Sequence, residues 1–324
     1  RSQRGVPMAA VQHQPLMQVL MGPALERFFE PEAVAFALGS GGTVLSEVSG
    51  RAFCWLFFYV AIVLFYNTIP SMVDAYCAWK YPKAPSTAVP HKLVQNMKSV
   101  SHHAFPLYVT VPLLTDWFMV RGWSMACHSI HECGGPARSV LGCAAYFLAL
   151  EVVIFIDHYY LLHKLDLGKR MGEHAFHHVY KYANQLNCFS GYAFKPQDGW
   201  SQGMALCLCT LFTPVPVYFV YLMEVLTGLW TLYIHCDVAP LPWPLMGCDY
   251  HYIHHRYNWY NFGFMTVMMD TLFSTVKHPK SDAFELSRGI KPMPEAEKLR
   301  SAELSRAILE KRGTDALRQD DARR

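Results

Sequence analysis

One uncharged run constrains the fold of this chain more than any other feature of its sequence. The run from Ala52 to Val73 reads AFCWLFFYVAIVLFYNTIPSMV. About 20 apolar residues are needed for an α-helix to cross a bilayer. A buried helix of a soluble protein usually keeps a polar face, which this run lacks. Over the whole chain 52% of residues are hydrophobic and 16% are charged. The sequence therefore predicts an all-α integral membrane protein.

Three further apolar blocks follow this first segment. Val100–Val120 is interrupted by two prolines, so it either spans in a kinked form or only dips into the bilayer. Ser139–Ile156 is apolar except for Glu151 and runs directly into a histidine cluster. Gly203–Ile234 would reach about 48 Å as one helix, which is too long for a single crossing. Because prolines divide this last block near its middle, we expect a helical hairpin that enters and leaves the membrane by the same face.

Charge and cysteine usage exclude several classes of protein. The net charge is only +3, so nothing global indicates nucleic-acid binding. The chain has no Gly-rich phosphate loop and no GxGxxG motif, and it therefore shows no nucleotide site of its own. Ten cysteines include no Cys-x-x-Cys pair, which is typical of a reduced protein, with Cys127 and Cys133 as the one disulfide pair left open. We expect three segments: an N-terminal leader (1–50) without a secretory signal pattern, a membrane domain (51–280), and a charged C-terminal helix and tail (281–324).

Histidines form three clusters in the second half of the chain. Two clusters repeat the rare pattern His-x-x-His-His, which on an α-helix projects all three imidazoles from one face, so that two such faces can enclose a metal pair. In the first cluster the histidines are five positions apart, a step of about 140° on a straight helix, so shared use of both requires a π-type bulge or a helix end. The clusters are His158 with His163; His174, His177 and His178; and His251, His254 and His255.

Eight imidazoles near a membrane are costly to bury unless a metal satisfies them. Imidazole suits zinc, copper, iron and nickel, so the ligand type does not name the ion. One zinc ion takes only four ligands, and eight or nine nitrogens therefore indicate two metals. The absence of HExxH disfavours a zinc protease, and triplets at a membrane edge fit bis-histidine haem poorly.

The clusters can meet only if the Gly203–Ile234 block returns to its own side of the membrane, as a hairpin does. Basic residues around the clusters predict that this side faces the cytosol. The N-terminus is then lumenal if the first three blocks all cross, or else Val100–Val120 does not cross. The same basic residues either receive an acidic electron carrier or only orient the protein in the membrane; they are Lys164, Lys169, Arg170 and Lys181.

Three histidine boxes are also the hallmark of the membrane fatty acid hydroxylase and sterol desaturase superfamily, which the region from Arg51 to Pro279 resembles. Within it the chain is most similar to the plant-type Δ7-sterol C-5(6)-desaturases. The most specific stretches are WPLMGCDYHYIHHRYNWYNFGFMTVMMDTLF, AFKPQDG, and LWTLYIHCD with its histidine at 235. The acidic Glu151, seven residues before His158, matches a position of the family. The first box departs from the family by one additional residue between its histidines.

This resemblance implies two iron ions, an endoplasmic-reticulum membrane location with the site facing the cytosol, a sterol or other lipid substrate, and molecular oxygen. Electrons would come from NAD(P)H through cytochrome b5 and its reductase, since the chain has no flavin or dinucleotide motif. The implied ligands are His158, His163, His174, His177, His178, His251, His254 and His255, with His235 as a ninth.

Acidic residues near the boxes are candidates to balance the charge of two ferrous ions, because imidazoles are neutral ligands. Each is also a candidate helix cap or structural acid; these residues are Asp157, Glu173, Asp249 and Asp270. Together with Asp157 and Asp270, Glu151 is expected to act behind the ligands. An aromatic and methionine-rich run either lines a rigid sterol slot or belongs to the core; it comprises Tyr257, Trp259, Tyr260, Phe262, Phe264, Met265, Met268 and Met269.

The leading hypothesis is a sterol desaturase. Removal of two hydrogens from adjacent carbons gives an alkene, whereas return of a hydroxyl group gives an alcohol, and the ligand set does not distinguish these outcomes. The alternatives are a related hydroxylase acting on sterol methyl groups, fatty acids or sphingoid chains, and a catalytically silent metal-binding membrane protein.

Overall fold

The computed structural model describes residues 15–82, 84–165, 173–236 and 240–279, together with residues 296, 299–300, 303, 306–307 and 310. Within these residues the protein is helical and contains no strand, only two isolated β-bridges. The α-helices are α1 (Leu16–Leu25), α2 (Pro31–Ala37), α3 (Val44–Lys80), α4 (His91–Tyr108), α5 (Thr110–Val120), α6 (Pro136–Phe155), α7 (Glu173–His177), α8 (Pro196–Cys209), α9 (Val217–Ile234), α10 (Cys248–Tyr257) and α11 (Met268–Leu272). A π-helix (Ile156–Lys164) continues directly from α6.

Three helical segments in the described part of the chain are long and apolar enough to cross a membrane: Val44–Lys80, Pro136–Lys164 and Val217–Ile234. The first contains the predicted Ala52–Val73 segment. Only 11% of the most apolar 18-residue stretch of this helix is buried inside the protein. Most of its apolar side chains therefore face outward, where lipid rather than protein would cover them. The Val100–Val120 block is divided at Val109 between α4 and α5.

The structure splits into two compact units, each assembled from three stretches of chain. The first comprises Arg1–Ile62, Val109–Leu150 and Gly203–Glu224. Its core includes a cluster of Met17, Val34, Leu38 and Cys54. The Tyr146 hydroxyl donates to the Leu206 carbonyl at 2.7 Å, which ties α6 to α8.

The cysteine pair that the sequence left open, Cys127 and Cys133, forms a disulfide in this first unit. The other eight cysteines are free thiols, as expected of a largely reduced protein. The backbone N–H of Cys127 also donates to the carbonyl of Val215, between the two prolines that separate α8 from α9. The proline-split block therefore forms two helices, as predicted.

The second unit comprises Val63–Tyr108, Glu151–Gln202 and Val225–Arg324, and it contains all of the predicted metal ligands. Ile234, Met246, Tyr250 and Val267 form one of its core clusters. The buried Tyr66 hydroxyl donates to the Phe189 carbonyl at 3.2 Å and accepts from Ser101 at 2.9 Å.

The predicted division into three segments stays a prediction. The leader (1–50) contains α1 and α2 in its described part, and α3 begins at Val44, before the expected boundary. Most of the C-terminal segment (281–324) lies outside the described residues. The positions of it that are described are helical.

Candidate metal centre

The first histidine box lies on the π-helix, as its five-residue spacing requires. A π-helix closes i→i+5 hydrogen bonds, so residues five apart lie one above the other on the same face. His158 and His163 accordingly have ring centroids 5.1 Å apart. The additional residue in this box is thus absorbed by a local change of helix type, and the predicted π-type irregularity is confirmed.

The second and third boxes lie on short helices and each contributes to two groups of histidines. In the second box His174 and His177 belong to α7 and His178 follows it; the third box lies entirely on α10. The members of these groups have ligand nitrogens within 4.8 Å of one another. Site A contains His158, His163, His174, His178 and His254, and site B contains His177, His235, His251 and His255. The structure therefore brings together all nine predicted ligands, the ninth from the end of α9.

Each triplet is divided between the sites according to helical spacing. Histidines four residues apart share a site: His174 and His178 in site A, His251 and His255 in site B. The middle histidine of each triplet belongs to the other site: His177 to site B and His254 to site A. Positions i+3 and i+4 lie on opposite sides of the line through position i, so one triplet can supply histidines to two neighbouring sites.

Fixed acceptors determine which ring nitrogen of the key histidines carries hydrogen. In site A, Nδ1 of His158 donates to the Phe262 carbonyl at 2.8 Å, and Nδ1 of His174 donates to the Asp198 carboxylate at 3.0 Å. In site B, Nδ1 of His235 donates to the Thr231 carbonyl at 2.7 Å, and His255 donates in the same way to Tyr180 at 3.1 Å. A carbonyl or carboxylate oxygen can only accept, so Nδ1 of each ring carries hydrogen, and the neutral form of the ring has its lone pair on Nε2.

The Nε2 lone pairs face one another at short range. The Nε2 atoms of His158 and His174 are 3.1 Å apart, and those of His235 and His255 are also 3.1 Å apart. When these rings are neutral with hydrogen on Nδ1, the contacts hold no proton, and the facing lone pairs repel unless a cation lies between them. Imidazole nitrogens at about 2.1 Å from one ion are separated by roughly 3.0–3.4 Å in octahedral or tetrahedral geometry. The donor set therefore fits a metal ion in each site.

Burial lowers the pKa of six of these ligands, all of them outside the long apolar helices, and so favours their neutral form. His254 and His255 have no exposed surface, and the pKa of each imidazole lies well below its usual value because desolvation disfavours the charged ring. Burial lowers the pKa of His235 to about 4, although its bond to the Thr231 carbonyl opposes the shift. The Nε2 atom of His163 is buried without a hydrogen-bond partner among the described residues, as a metal ligand would be in the absence of its ion.

Asp198 is the carboxylate that sequence reasoning did not identify. Asp198 lies in the first turn of α8, which carries no histidine ligand. Its carboxylate accepts from Nδ1 of His174 at 3.0 Å and from the Gln202 amide at 2.9 Å. Carboxylates of this kind orient a ligand ring and raise its basicity. The signal in the sequence is AFKPQDG, a stretch that resembles the family and contains this aspartate.

Two of the acids predicted to act behind the ligands, Asp270 and Glu151, accept hydrogen bonds from backbone N–H groups. Asp270 accepts from the N–H groups of Phe262 and Gly263, both at 2.7 Å, and the Phe262 carbonyl in turn accepts from His158. Glu151 accepts from the N–H groups of Met265 and Thr266 at 3.0 Å. These two acids therefore shape the loop that follows the third box.

The remaining acidic candidates make other contacts. Asp157 accepts from the Ser201 hydroxyl at 3.3 Å, and Asp249 accepts from the backbone N–H of Tyr250 at 3.0 Å. Glu173 is the first residue of α7. Neither metal group includes a carboxylate among the described residues.

A cavity of about 30 Å³ adjoins both sites. It is lined by His158, His174, His177, Phe194, Gln202, Thr231, Ile234, His235, His251, His254, Gly263 and Phe264. Gln202 precedes the proline-split block and Ile234 ends it, so both ends of the predicted hairpin reach the same place. This confirms that the block returns to the histidine boxes.

The aromatic run after the third box is divided by the fold. Phe264 lines the cavity, and the Phe262 ring packs on site A with centroids 5.0 Å from His163 and 5.2 Å from His254. Tyr257 and Trp259, by contrast, are exposed. A sterol slot built from the whole run stays a prediction, and its cavity-lining member is Phe264.

Comparison with known proteins agrees with this geometry. The sequence model of the family described as Fatty acid hydroxylase matches residues 143–275, which contain all nine histidines. A Delta(7)-sterol-C5(6)-desaturase of Nicotiana tabacum is 30% identical over 240 residues, which cover 74% of this chain and 81% of the relative. A putative Delta(7)-sterol-C5(6)-desaturase 2 of Arabidopsis thaliana is 27% identical over 247 residues, covering 75% and 81%.

An animal protein is also similar. The lathosterol oxidase of Mus musculus is 25% identical over 232 residues, which cover 70% of this chain and 72% of the relative. No solved structure gives a significant match.

Proposed function

We propose a function from one premise: this chain belongs to the fatty acid hydroxylase and sterol desaturase superfamily. It is a membrane oxidoreductase that introduces the C5(6) double bond into a Δ7-sterol. The tobacco and mouse relatives carry the names of this activity and align with most of the chain. The three long apolar helices supply the membrane setting in which such a lipid is found.

The facing Nε2 lone pairs of sites A and B are the observation that supports metal-dependent oxidation. Site A would hold one iron ion through His158, His163, His174, His178 and His254, and site B a second through His177, His235, His251 and His255. When bound and reduced, such an iron pair activates molecular oxygen for removal of hydrogen from an unactivated C–H bond.

The protein's own contribution is to hold a neutral, rigid ligand set in a dry place. Each bond from Nδ1 to a backbone carbonyl fixes the tautomer and orientation of a ring. Asp198 adds a negative charge on the site A side through His174. The Phe262 ring covers site A with apolar surface, which limits access of water.

The membrane location and the electron donors are part of the same proposal. The protein would lie in the endoplasmic-reticulum membrane with its site facing the cytosol, and electrons would arrive from cytochrome b5 and its reductase. Lys164 and Lys181 are described basic residues that follow the first and second boxes, where an acidic carrier would dock. The other predicted docking residues, Lys169 and Arg170, lie outside the described residues.

Expression in a yeast that lacks its own C-5 sterol desaturase tests the function. Wild-type protein should convert the accumulated Δ7-sterol into the Δ5,7-diene, measured in the extracted sterols. A matched His178→Ala variant should leave the diene absent, because it removes a site A ligand and leaves the membrane helices unchanged.

Other products would contradict the proposal. A hydroxylated sterol, fatty acid or sphingoid base in place of the diene would indicate the related hydroxylase. Two bound metal ions in purified protein without any product or oxygen consumption would indicate a silent metal-binding protein.

A further inference from the structure

The first unit contains a cavity of about 830 Å³ at the N-terminal end of α3. Its walls come from α1, α2, the first turns of α3 and the end of α5. The nine histidines of sites A and B are not among its described lining residues. Pockets for small-molecule ligands typically measure about 300–1,000 Å³. This cavity is therefore large enough for a ligand of its own.

Close contacts between α3 and the segment before it fix one wall of the cavity. A Cβ at Gly50 would lie 2.5 Å from the Cα of Gly39, so the two backbones meet with no side chain between them. The Ser49 hydroxyl donates to the carbonyl of Phe36 on α2 at 2.9 Å. A ligand would thus enter a cavity that is already formed.

Part of the lining is apolar and lies on the membrane side. Met17, Leu38 and Cys54 line the cavity and belong to a core cluster of this unit, where each is at most 3% exposed. Cys54 is also within the uncharged run of α3, which is long enough to cross the bilayer. A ligand that contacts these residues must present apolar surface.

The preceding turns of α3 supply a charged part of the lining. Glu47 and Arg51 lie about 10 and 5 Å before Cys54 along the helix axis. Arg51 contacts Glu47 at 3.3 Å and the buried Asp116 of α5 at 3.5 Å, and Arg121 contacts Glu47 at 3.2 Å. Two positive and two negative charges are thus paired with one another. A charged headgroup would add an unpaired charge to this network, whereas an uncharged polar group would not.

The other acids in the described lining do not alter this balance. Glu26 and Glu32 are exposed, and water screens their charges. The lining as a whole therefore suits an amphiphile that is apolar over most of its length and has an uncharged polar end.

The volume indicates the size of that amphiphile. At about 30 Å³ for each non-hydrogen atom, as in liquid water, the cavity holds roughly 28 such atoms. A sterol has about this many non-hydrogen atoms, and its one polar group is an uncharged hydroxyl. A phospholipid with two acyl chains is much larger and carries charges, and a fatty acid carries a carboxylate.

We propose that this cavity binds one membrane sterol, with the hydroxyl group at the charged turns of α3 and the rings toward Met17, Leu38 and Cys54. The site goes beyond the proposed function, because no metal ligand lines it. It is a lipid site of the protein whether or not the metal centre oxidises a sterol.

Photo-crosslinking with a diazirine-labelled sterol tests the proposal. Full-length protein in lipid nanodiscs is irradiated, and the labelled peptides are identified by mass spectrometry. Wild type should carry the label on peptides from residues 15–54 and 116–121, and excess unlabelled sterol should remove it. Ala35→Trp fills the cavity and should lower this labelling by about tenfold. Ala37→Trp is the matched control, since Ala37 is exposed on the same helix and does not line the cavity.

A second variant tests the charge balance. Glu47→Gln leaves Arg51 and Arg121 with only Asp116 as their partner, so the lining gains a net positive charge. Labelling by a diazirine fatty acid relative to the sterol should then rise by about tenfold. Glu30→Gln removes an exposed acid outside the cavity and should keep the wild-type ratio.

Several outcomes would overturn this sterol site. They are an absence of label from residues 15–54 and 116–121, unchanged labelling in a folded Ala35→Trp protein, and equal labelling of wild type by the fatty acid and the sterol. Thermal unfolding shows whether each variant is folded. Diene formation by the same preparations is measured separately: diene without cavity label overturns this inference and leaves the proposed function intact, whereas cavity label without diene has the opposite meaning.

Discussion

Replacement of Asp198 by asparagine tests whether a buried carboxylate tunes site A. Asp198 is 1% exposed, and one of its oxygens accepts both from His174 at 3.0 Å and from Gln202 at 2.9 Å. Asparagine removes the negative charge and turns an amide N–H group toward one of these donors. A hydrogen bond to a charged group contributes about 1.5–3 kcal/mol, which corresponds to roughly 10–100-fold in affinity. We therefore expect the metal affinity of site A to fall by this factor.

The measurement is a titration of metal-free protein with ferrous iron against competing chelators of graded strength. Asp249→Asn is the matched control, because the Asp249 side chain accepts from the backbone N–H groups of Tyr250 and of Asp249 itself, a role that asparagine keeps. This control should bind iron as wild type does. Thermal unfolding of the metal-free variants shows whether folding is intact. An Asp198→Asn protein that folds and binds both ions within twofold of wild-type affinity would refute the reasoning.

Four further outcomes are expected. His254→Ala and His255→Ala, although adjacent, should each retain about one iron ion per chain, and a loss of both ions from either variant would contradict the assignment to separate sites. Gly191→Ala should reduce iron in site B, because a Cβ there would lie 2.8 Å from the Thr231 carbonyl oxygen and 3.2 Å from Nδ1 of His235; unchanged iron content would argue against this contact. Glu151→Gln should lower the melting temperature by about 2–6 °C, since an amide N–H then faces backbone donors, and the same melting temperature as wild type would show that the carboxylate is dispensable. Chelation of metal from wild-type protein should lower the melting temperature and ferrous iron should restore it, and an unaltered transition would exclude metal as a source of stability.

Features that depend on local periodicity could be predicted from the sequence. The uncharged run within α3 requires a membrane helix, and prolines between α8 and α9 require a break. The step from His158 to His163 does not fit a straight α-helix, so an irregularity follows from the spacing, and the structure resolves it as a π-helix rather than a helix end. These are properties of short segments, which the sequence encodes directly.

Features that depend on tertiary packing could not be predicted in the same way. The nine histidines were identifiable, but their division was not, because His174, His177 and His178 project from one face of a helix and only the neighbouring elements decide which ion each reaches. Asp198 was missed because it follows the second box by a long loop and only the fold brings it to His174. Asp270 likewise reaches His158 through the backbone of Phe262, a connection that spacing does not reveal.

Each histidine triplet is divided between the two sites, and this division has a thermodynamic consequence for metal loading. α7 with His178, and α10, each supply histidines to both sites, so an ion in either site would require both helices to be ordered. The loss of conformational entropy in that ordering would accompany binding of the first ion. The second ion would then bind to helices that are already ordered. Iron loading should accordingly be positively cooperative, and half-loaded protein should be scarce throughout a titration.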